Sequence, residues 1–394
     1  MDPLLARAHE LSPRLVEIRR DLHRHPELSY QELRTAALAS REVAAAGFAV
    51  RTGVAKTGVV AELDNGNGPT VALRADMDAL PIQEESEEPY ASTVPGVMHA
   101  CGHDAHTAGL IGASKVLSAL LADGELPAGR IRLLFQPSEE GMDAEGKSGA
   151  RRMIEEGAMD GVDAVVGLHV GAHLPSGRVY LNEGPFFAGS DEVFVTVRGQ
   201  SSHAARPQDG VDAVALASLG VVAAQQVVSR RVGPLEQGVL SFGTIKGGTA
   251  LNVVADRVEL AGTLRYFDAQ VRERIREGIA AAFGTVDAMG GRSEVRVQDG
   301  YPPVVNDPAV TGWVREAISP LLAADHLVES DPWLEAEDFS FLARKAPGAF
   351  FWLGAALPEP RRHHHPRFDI DESVLPLGAA LLARSAVHLM KRLV

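Results

Sequence analysis

Thr70-Val71-Ala72-Leu73-Arg74, running on into Ala75-Asp76-Met77-Asp78, is a β-rich run that ends in two carboxylates. Two further runs repeat the pattern. Ile131-Arg132-Leu133-Leu134-Phe135 is stopped by Pro137 and leads to Glu139-Glu140, and Asp163-Ala164-Val165-Val166-Gly167-Leu168 leads to His169. Between them, apolar positions at helical spacing over 105–122 end near Gly124, and a helix over 148–156 ends before Gly157. Short apolar strands alternating with helices specify an α/β domain with a largely buried, mostly parallel sheet.

The middle of the chain follows a different rule. Asp191-Glu192-Val193-Phe194-Val195-Thr196-Val197 alternates with period two, as a half-exposed strand does. A helix over 211–229, strands over 238–245 and 254–266, a helix over 268–283 and a strand over 293–298 follow. That order, β-α-β-β-α-β, is a split βαβ sandwich with one open sheet face, so residues 188–301 are expected to form an inserted domain. Residues 1–187 and 302–394 then make up the first domain, completed by helices around 308–323 and 374–392.

Bulk properties narrow the function. A chain of 394 residues with 45% hydrophobic and 23% charged residues has material for two folded domains. Its 52 acidic against 38 basic residues give a net charge of −14, which disfavours nucleic acid and anionic membranes as partners. The first residues, Met1-Asp2-Pro3 and onward, read as an amphipathic helix and not as a signal peptide. The most apolar later windows are interrupted by Lys115, Gln225-Gln226 and Arg384, so no membrane span is expected and the cytoplasm is the expected location. Cys101 is the single cysteine, which excludes an intrachain disulfide.

In open α/β sheets, reactive groups gather beyond the carboxyl ends of strands. Three strands here lead to potential ligands, and His99-Ala100-Cys101-Gly102-His103-Asp104-Ala105-His106 lies between the first two, just before a helix. Taken singly, a lone cysteine reads as a small core residue, a Glu-Glu pair as a solvated turn, and His363-His364-His365 as a surface loop. Their convergence favours a metal site. If the segment around Gly102 is extended, Cys101 and His103 point to one side. Thiolate, imidazole and carboxylate together suit zinc or a similar divalent transition ion. Of Glu139 and Glu140, one would bind metal and the other would face substrate and activate water. His23 and His25, flanking a helix end before Pro26, read as structural.

The motifs also carry a resemblance. His23-Arg24-His25-Pro26-Glu27-Leu28, Ala75 to Pro81, Met98 to Asp104, Phe135 to Gly141, Gly167-Leu168-His169, Ser202-His203-Ala204-Ala205, Ala336-Glu337-Asp338-Phe339 and His364-His365-Pro366-Arg367-Phe368 occur in order along nearly the whole chain. In these the sequence resembles the amidohydrolase branch of the aminoacylase and carboxypeptidase-like metallopeptidases. The group contains hippurate hydrolases, N-acyl-amino-acid amidohydrolases and auxin-conjugate hydrolases. The resemblance implies a zinc-exopeptidase-like catalytic domain with a ferredoxin-like lid. It implies two divalent ions per subunit, zinc, manganese, cobalt or nickel, held by Cys101, His103, Glu140, His169 and His364. It further implies that Glu139 is the general base and that Asp78 orients a ligand imidazole. His203 would stabilise the oxyanion in a partner subunit's site, Asn252 and Arg265 would bind the substrate carboxylate, and the lid would build a homodimer or higher homo-oligomer.

The expected reaction is hydrolysis of an N-acyl amino acid to a carboxylic acid and a free amino acid. N-acetyl-diaminopimelate deacetylation and dipeptidase or carboxypeptidase action are the alternatives, with a non-catalytic protein holding a structural metal as the distant one. The sequence departs from the pattern at Arg206-Pro207-Gln208, where relatives often carry Pro-His, and in the longer, charged stretch from Gly141 to Lys147.

Overall fold

The structure, a computed structural model, describes residues 2–394. The chain divides into two compact units, one formed by residues up to Phe186 with Val305–Asp331 and Asp338–Val394, the other by Phe187–Val304 with Pro332–Glu337. The short segment 332–337 thus goes with the second unit, whereas the sequence reading had kept it in the first.

The first unit opens with helices α1 (Pro3–Glu10), α2 (Ser12–Arg24) and α3 (Leu33–Ala45). Asp2 caps α1, its Oδ1 accepting the Leu4 N–H at 2.9 Å, as a carboxylate before a proline-led helix should. Strands β1 (Ala49–Val54), β2 (Gly58–Asp64) and β3 (Thr70–Asp76) follow, then α4 (His103–Ala122), β4 (Arg130–Gln136), α5 (Gly149–Glu155), β5 (Ala164–Pro175) and β6 (Val179–Tyr180). The chain passes through β7 (Gly184–Phe187) into the second unit: β8 (Gly189–Arg198), α6 (Ala213–Arg231), β9 (Gly238–Gly247), β10 (Arg257–Tyr266), α7 (Ala269–Ala288) and β11 (Arg292–Asp299). It returns through β12 (Val304–Asn306) to α8 (Pro308–Ile318), β13 (Leu327–Val328), α9 (Phe339–Ala343), β14 (Gly348–Ala356) and α10 (Leu375–Arg392).

The sheet of the first unit has eight strands in the order β1-β2-β4-β3-β5-β14-β6-β13. Its centre is parallel, through β4–β3, β3–β5 and β5–β14, while β1–β2, β2–β4 and β14–β6 are antiparallel. All seven residues of β3 are buried, which explains why that run lacks the alternation of a half-exposed strand. Helices α4 and α10 pack on β3 and β5, where Leu73, Ile111, Leu117, Phe351 and Leu381 share one core. Strand β14, Gly348-Ala349-Phe350-Phe351-Trp352-Leu353, was not identified in the sequence reading although it completes the parallel centre.

The second unit is a four-stranded antiparallel sheet in the order β11-β8-β10-β9, with α6 and α7 packed against each other and on the sheet. Val193, Val195 and Val197 of β8 point into a core with Ile275, Ile279 and Phe283, so the period-two pattern reports one buried face.

Three helices, His103–Ala122, Ala213–Arg231 and Glu372–Arg392, are long and apolar enough by length and composition to cross a membrane, contrary to the expectation from the interrupted windows. The first and third bury 72% and 78% of that stretch inside the fold, and the second buries 33%. Core packing therefore accounts for the apolar character of the first and third.

Candidate metal centre

The Cys101 to His106 segment is built around one backbone requirement. Gly102 has φ +94°, and a Cβ there would stand 2.4 Å from Val170 Cγ2, so only glycine allows this turn. Cys101 and His103 are therefore brought together by a left-handed turn at the start of α4, not by the extended segment expected from their spacing. His103 Nδ1 meets the Asp78 carbonyl at 2.9 Å and Asp78 Oδ1 at 3.3 Å, which leaves Nε2 to face the site. Among the described residues that buried Nε2 has no hydrogen-bond partner.

Glu139 and Glu140 occupy a bend after Pro137, with Ser138 at φ +50°. Their successive N–H groups donate to Asp78 Oδ1 and Oδ2, each at 3.0 Å. Because the pair lies in a bend, its side chains need not diverge as in an extended strand. Ligand atoms of Glu139, Glu140 and His103 all lie within 4.8 Å of one another. Glu139 is buried, and its Oε1 also accepts the Asp338 N–H at 3.4 Å.

His169 is not at a strand end. It sits in the middle of β5, opposite Trp352 of β14, and β5 continues to Pro175. Its Nδ1 donates to the Val170 carbonyl at 2.9 Å, and its Nε2 is 3.5 Å from Cys101 Sγ. His364 has φ +59°; its N–H donates to the Ala100 carbonyl at 2.8 Å, and its Nε2 lies 3.1 Å from Glu140 Oε1. His363 instead accepts the Ala172 N–H at Nε2, and His365 is exposed.

Potential ligand atoms fall into overlapping groups: Cys101, His103 and His169; Cys101, Glu140 and His364; His103, Glu139 and Glu140. All five expected ligands and Glu139 are thereby brought into one cluster. Burial and clustered carboxylates set its electrostatics. Burial pushes the Cys101 thiol well up, and Glu140 and Glu139 push it further. Burial opposes charge on His103, yet Asp76, Asp78 and Glu140 outweigh it and hold the imidazole protonated up to about 10. Hydrogen bonding to Glu140 raises His364. Soft thiolate, imidazoles, clustered carboxylates and an unpartnered buried ring nitrogen fit divalent transition ions.

The residues expected to touch substrate lie in the second unit. His203 Nδ1 accepts the Ala205 N–H at 3.0 Å, so the ring hydrogen is on Nε2. Asn252 is exposed in a turn, where its carbonyl accepts the Ala204 N–H. Arg265 bonds Thr263 Oγ1 and the Leu264 carbonyl and makes no ion pair among the described residues. Burial lowers its pKa, with Asp191 and Glu335 opposing.

The sequence reading missed a buried framework behind the cluster. Asp76 bonds His106 and Arg74; Arg74 and Gln136 both bond Asp338, which also accepts the Ala150 N–H. His106, one turn after His103 on α4, was the available signal. His23, read as structural, is buried with Nδ1 2.7 Å from Asp104 Oδ2.

An α/β unit with a cysteine–histidine–carboxylate cluster beside its central strands has the build of a metal-dependent hydrolase. Residues 72–388 match the peptidase family M20/M25/M40, and the chain belongs to that family. It is 40% identical over 382 residues to N-acetyl-L-cysteine deacetylase of Bacillus subtilis, covering 96% of this chain and 89% of the relative. It is 39% identical over 397 residues to an IAA-amino acid hydrolase of Arabidopsis thaliana, covering 98% and 87%. Among solved structures, a dinuclear metal-binding peptidase of the M20 family from Bacillus subtilis superposes with a TM-score of 0.84 at 33% identity, covering 97% of this chain and 99% of that one. The protein is a metal-dependent amidohydrolase that acts on small amide substrates.

Proposed function

We propose that the enzyme hydrolyses N-acyl amino acids, with hippurate-like or N-acetyl acyl groups, to a carboxylic acid and a free amino acid. The observation that carries this reading is the placement of Glu139, a buried carboxylate held beside His103 and Glu140 within 4.8 Å. Cys101, His103, Glu140, His169 and His364 would hold two divalent ions. When bound, the ions supply Lewis acidity that polarises the scissile carbonyl and acidifies water.

Glu139 accepts the proton of the attacking water and returns it to the leaving amine. Asp78 keeps Glu139 and Glu140 in place through their N–H groups. In this reading His203 donates its Nε2–H to the developing oxyanion in a partner subunit's site, within a homodimer formed through the second unit as a lid. Arg265, a half-buried guanidinium without an ion pair among the described residues, and Asn252 bind the substrate carboxylate.

The substrate class is supported by the two relatives above, both named for substrates built on an amino acid. The test is release of free amino acid from parallel N-acetyl, N-benzoyl and dipeptide substrates by metal-reconstituted enzyme. Turnover of N-acyl amino acids well above dipeptides supports the proposal, and preference for dipeptides contradicts it.

A further inference from the structure

Strand β3 pairs with β5 only from Val71↔Ala164 to Arg74↔Gly167, while β5 runs on to Pro175. Three residues beyond the last pair, the Val170 N–H bonds to a side chain: it donates to His106 Nε2 at 2.9 Å. A backbone N–H can only donate, so Nε2 presents its lone pair and the ring hydrogen sits on Nδ1. Nδ1 in turn donates to Asp76 Oδ1 at 2.5 Å. Asp76 is itself fixed, its Oδ2 accepting Arg74 Nη1 at 2.6 Å.

Val170 also engages His169. The Val170 carbonyl, in the next peptide group, accepts the His169 Nδ1–H, so the His169 lone pair is on Nε2, the atom facing Cys101 Sγ. The rings of His106 and His169 also touch directly, edge to face, with centroids 4.4 Å apart and planes at 77°. His106 is 2% exposed.

We propose that His106 is a positioning residue: its imidazole replaces the missing strand partner of Val170 and so fixes the orientation and tautomer of His169. The inference rests on the reading of His169 as a metal ligand. Hydrogen-bonding groups behind a metal-bound imidazole change metal affinity about 10–100-fold when lost.

The test is titration of the metal-free, full-length protein with Co²⁺ alone, followed by the visible absorption of the bound ion. His106→Phe keeps a ring but loses both hydrogen bonds, and is expected to bind one equivalent about 10–100-fold more weakly. His106→Gln restores an acceptor where Nε2 stood and is expected to recover most of the affinity. His106→Asn can serve only the Asp76 side and stays weak. Affinity of His106→Phe equal to wild type, or equal weakness in all three variants, overturns the proposal.

His169→Ala is the separate control. Loss of one cobalt equivalent there upholds the ligand reading whatever the His106 variants do, and wild-type binding overturns that reading on its own. Should His106→Phe not fold, long-range ¹H–¹⁵N spectra of the wild-type protein decide: His106 protonated on Nδ1 supports the inference, and protonation on Nε2 overturns it.

Discussion

Asp78 holds Glu139 by its backbone: the Glu139 N–H donates to Asp78 Oδ1 at 3.0 Å, while the same oxygen lies 3.3 Å from His103 Nδ1. One carboxylate thus ties the proposed base to a proposed ligand. Asp78→Ala is expected to weaken metal binding about 10–100-fold and to lower kcat. Asp78→Asn should not rescue it, since its amide would turn a donor toward one of the two N–H groups. Metal titration of both variants checks this; a rescue by asparagine would show that charge on Asp78 is dispensable.

Cys101 separates a ligand from a packing residue. Cys101→Ser should lower metal affinity while leaving the melting temperature of the metal-free chain close to wild type, because the substitution is nearly isosteric. A small core cysteine would show the reverse, a stability loss with metal content unchanged. Metal analysis beside thermal unfolding distinguishes the two.

Glu32 gives a pH signature just behind the cluster. Its Oε1 accepts the N–H groups of Tyr30 and Ser138, and its Oε2 accepts the Thr57 hydroxyl. Burial, then Asp78, pushes its carboxyl up to about 7. A raised carboxyl favours the protonated folded state, so its stabilising contribution is complete below the ordinary glutamate range and is lost as pH rises through about 7. Glu32→Gln mimics the protonated acid, with its amide N–H₂ toward Thr57. The variant should gain stability over wild type between about pH 5 and 8, by up to about 3 kcal/mol. A difference in melting temperature that is flat across this range would contradict it.

Arg265 is expected to read the substrate carboxylate. Arg265→Ala should raise KM for N-acyl amino acids about 10–100-fold, the scale of a charge-assisted hydrogen-bonded pair, with little change for the carboxamide-capped analogue. Equal losses on both substrates would assign Arg265 to the fold of β10.

Much of this was legible in the residues. Strands β3 and β4 and helix α4 announced themselves because each couples a largely apolar run to a stop signal: Asp76, Pro137 and Gly124. The second unit was legible because the buried Val193, Val195 and Val197 alternate with less buried neighbours. Strand β14 was hidden, since Gly348 to Leu353 is buried on both faces and shows no period.

Within the site, the residues proposed as ligands stood out in the sequence, but the local geometry that gathers them did not. Position 102 must be glycine because a Cβ there would meet Val170, a residue far away in sequence. His106 and Asp338 likewise act through partners that only the fold supplies.

The central claim is that Glu139 moves the proton and does not hold the metal. Glu139→Gln keeps size and hydrogen bonding but cannot accept that proton. Its turnover of an N-acyl amino acid, measured at confirmed metal content, is the direct test. The account predicts wild-type metal stoichiometry with kcat lowered by a factor of at least about 10²–10⁴. Substantial turnover at full metal content, or loss of metal from the variant, would contradict it.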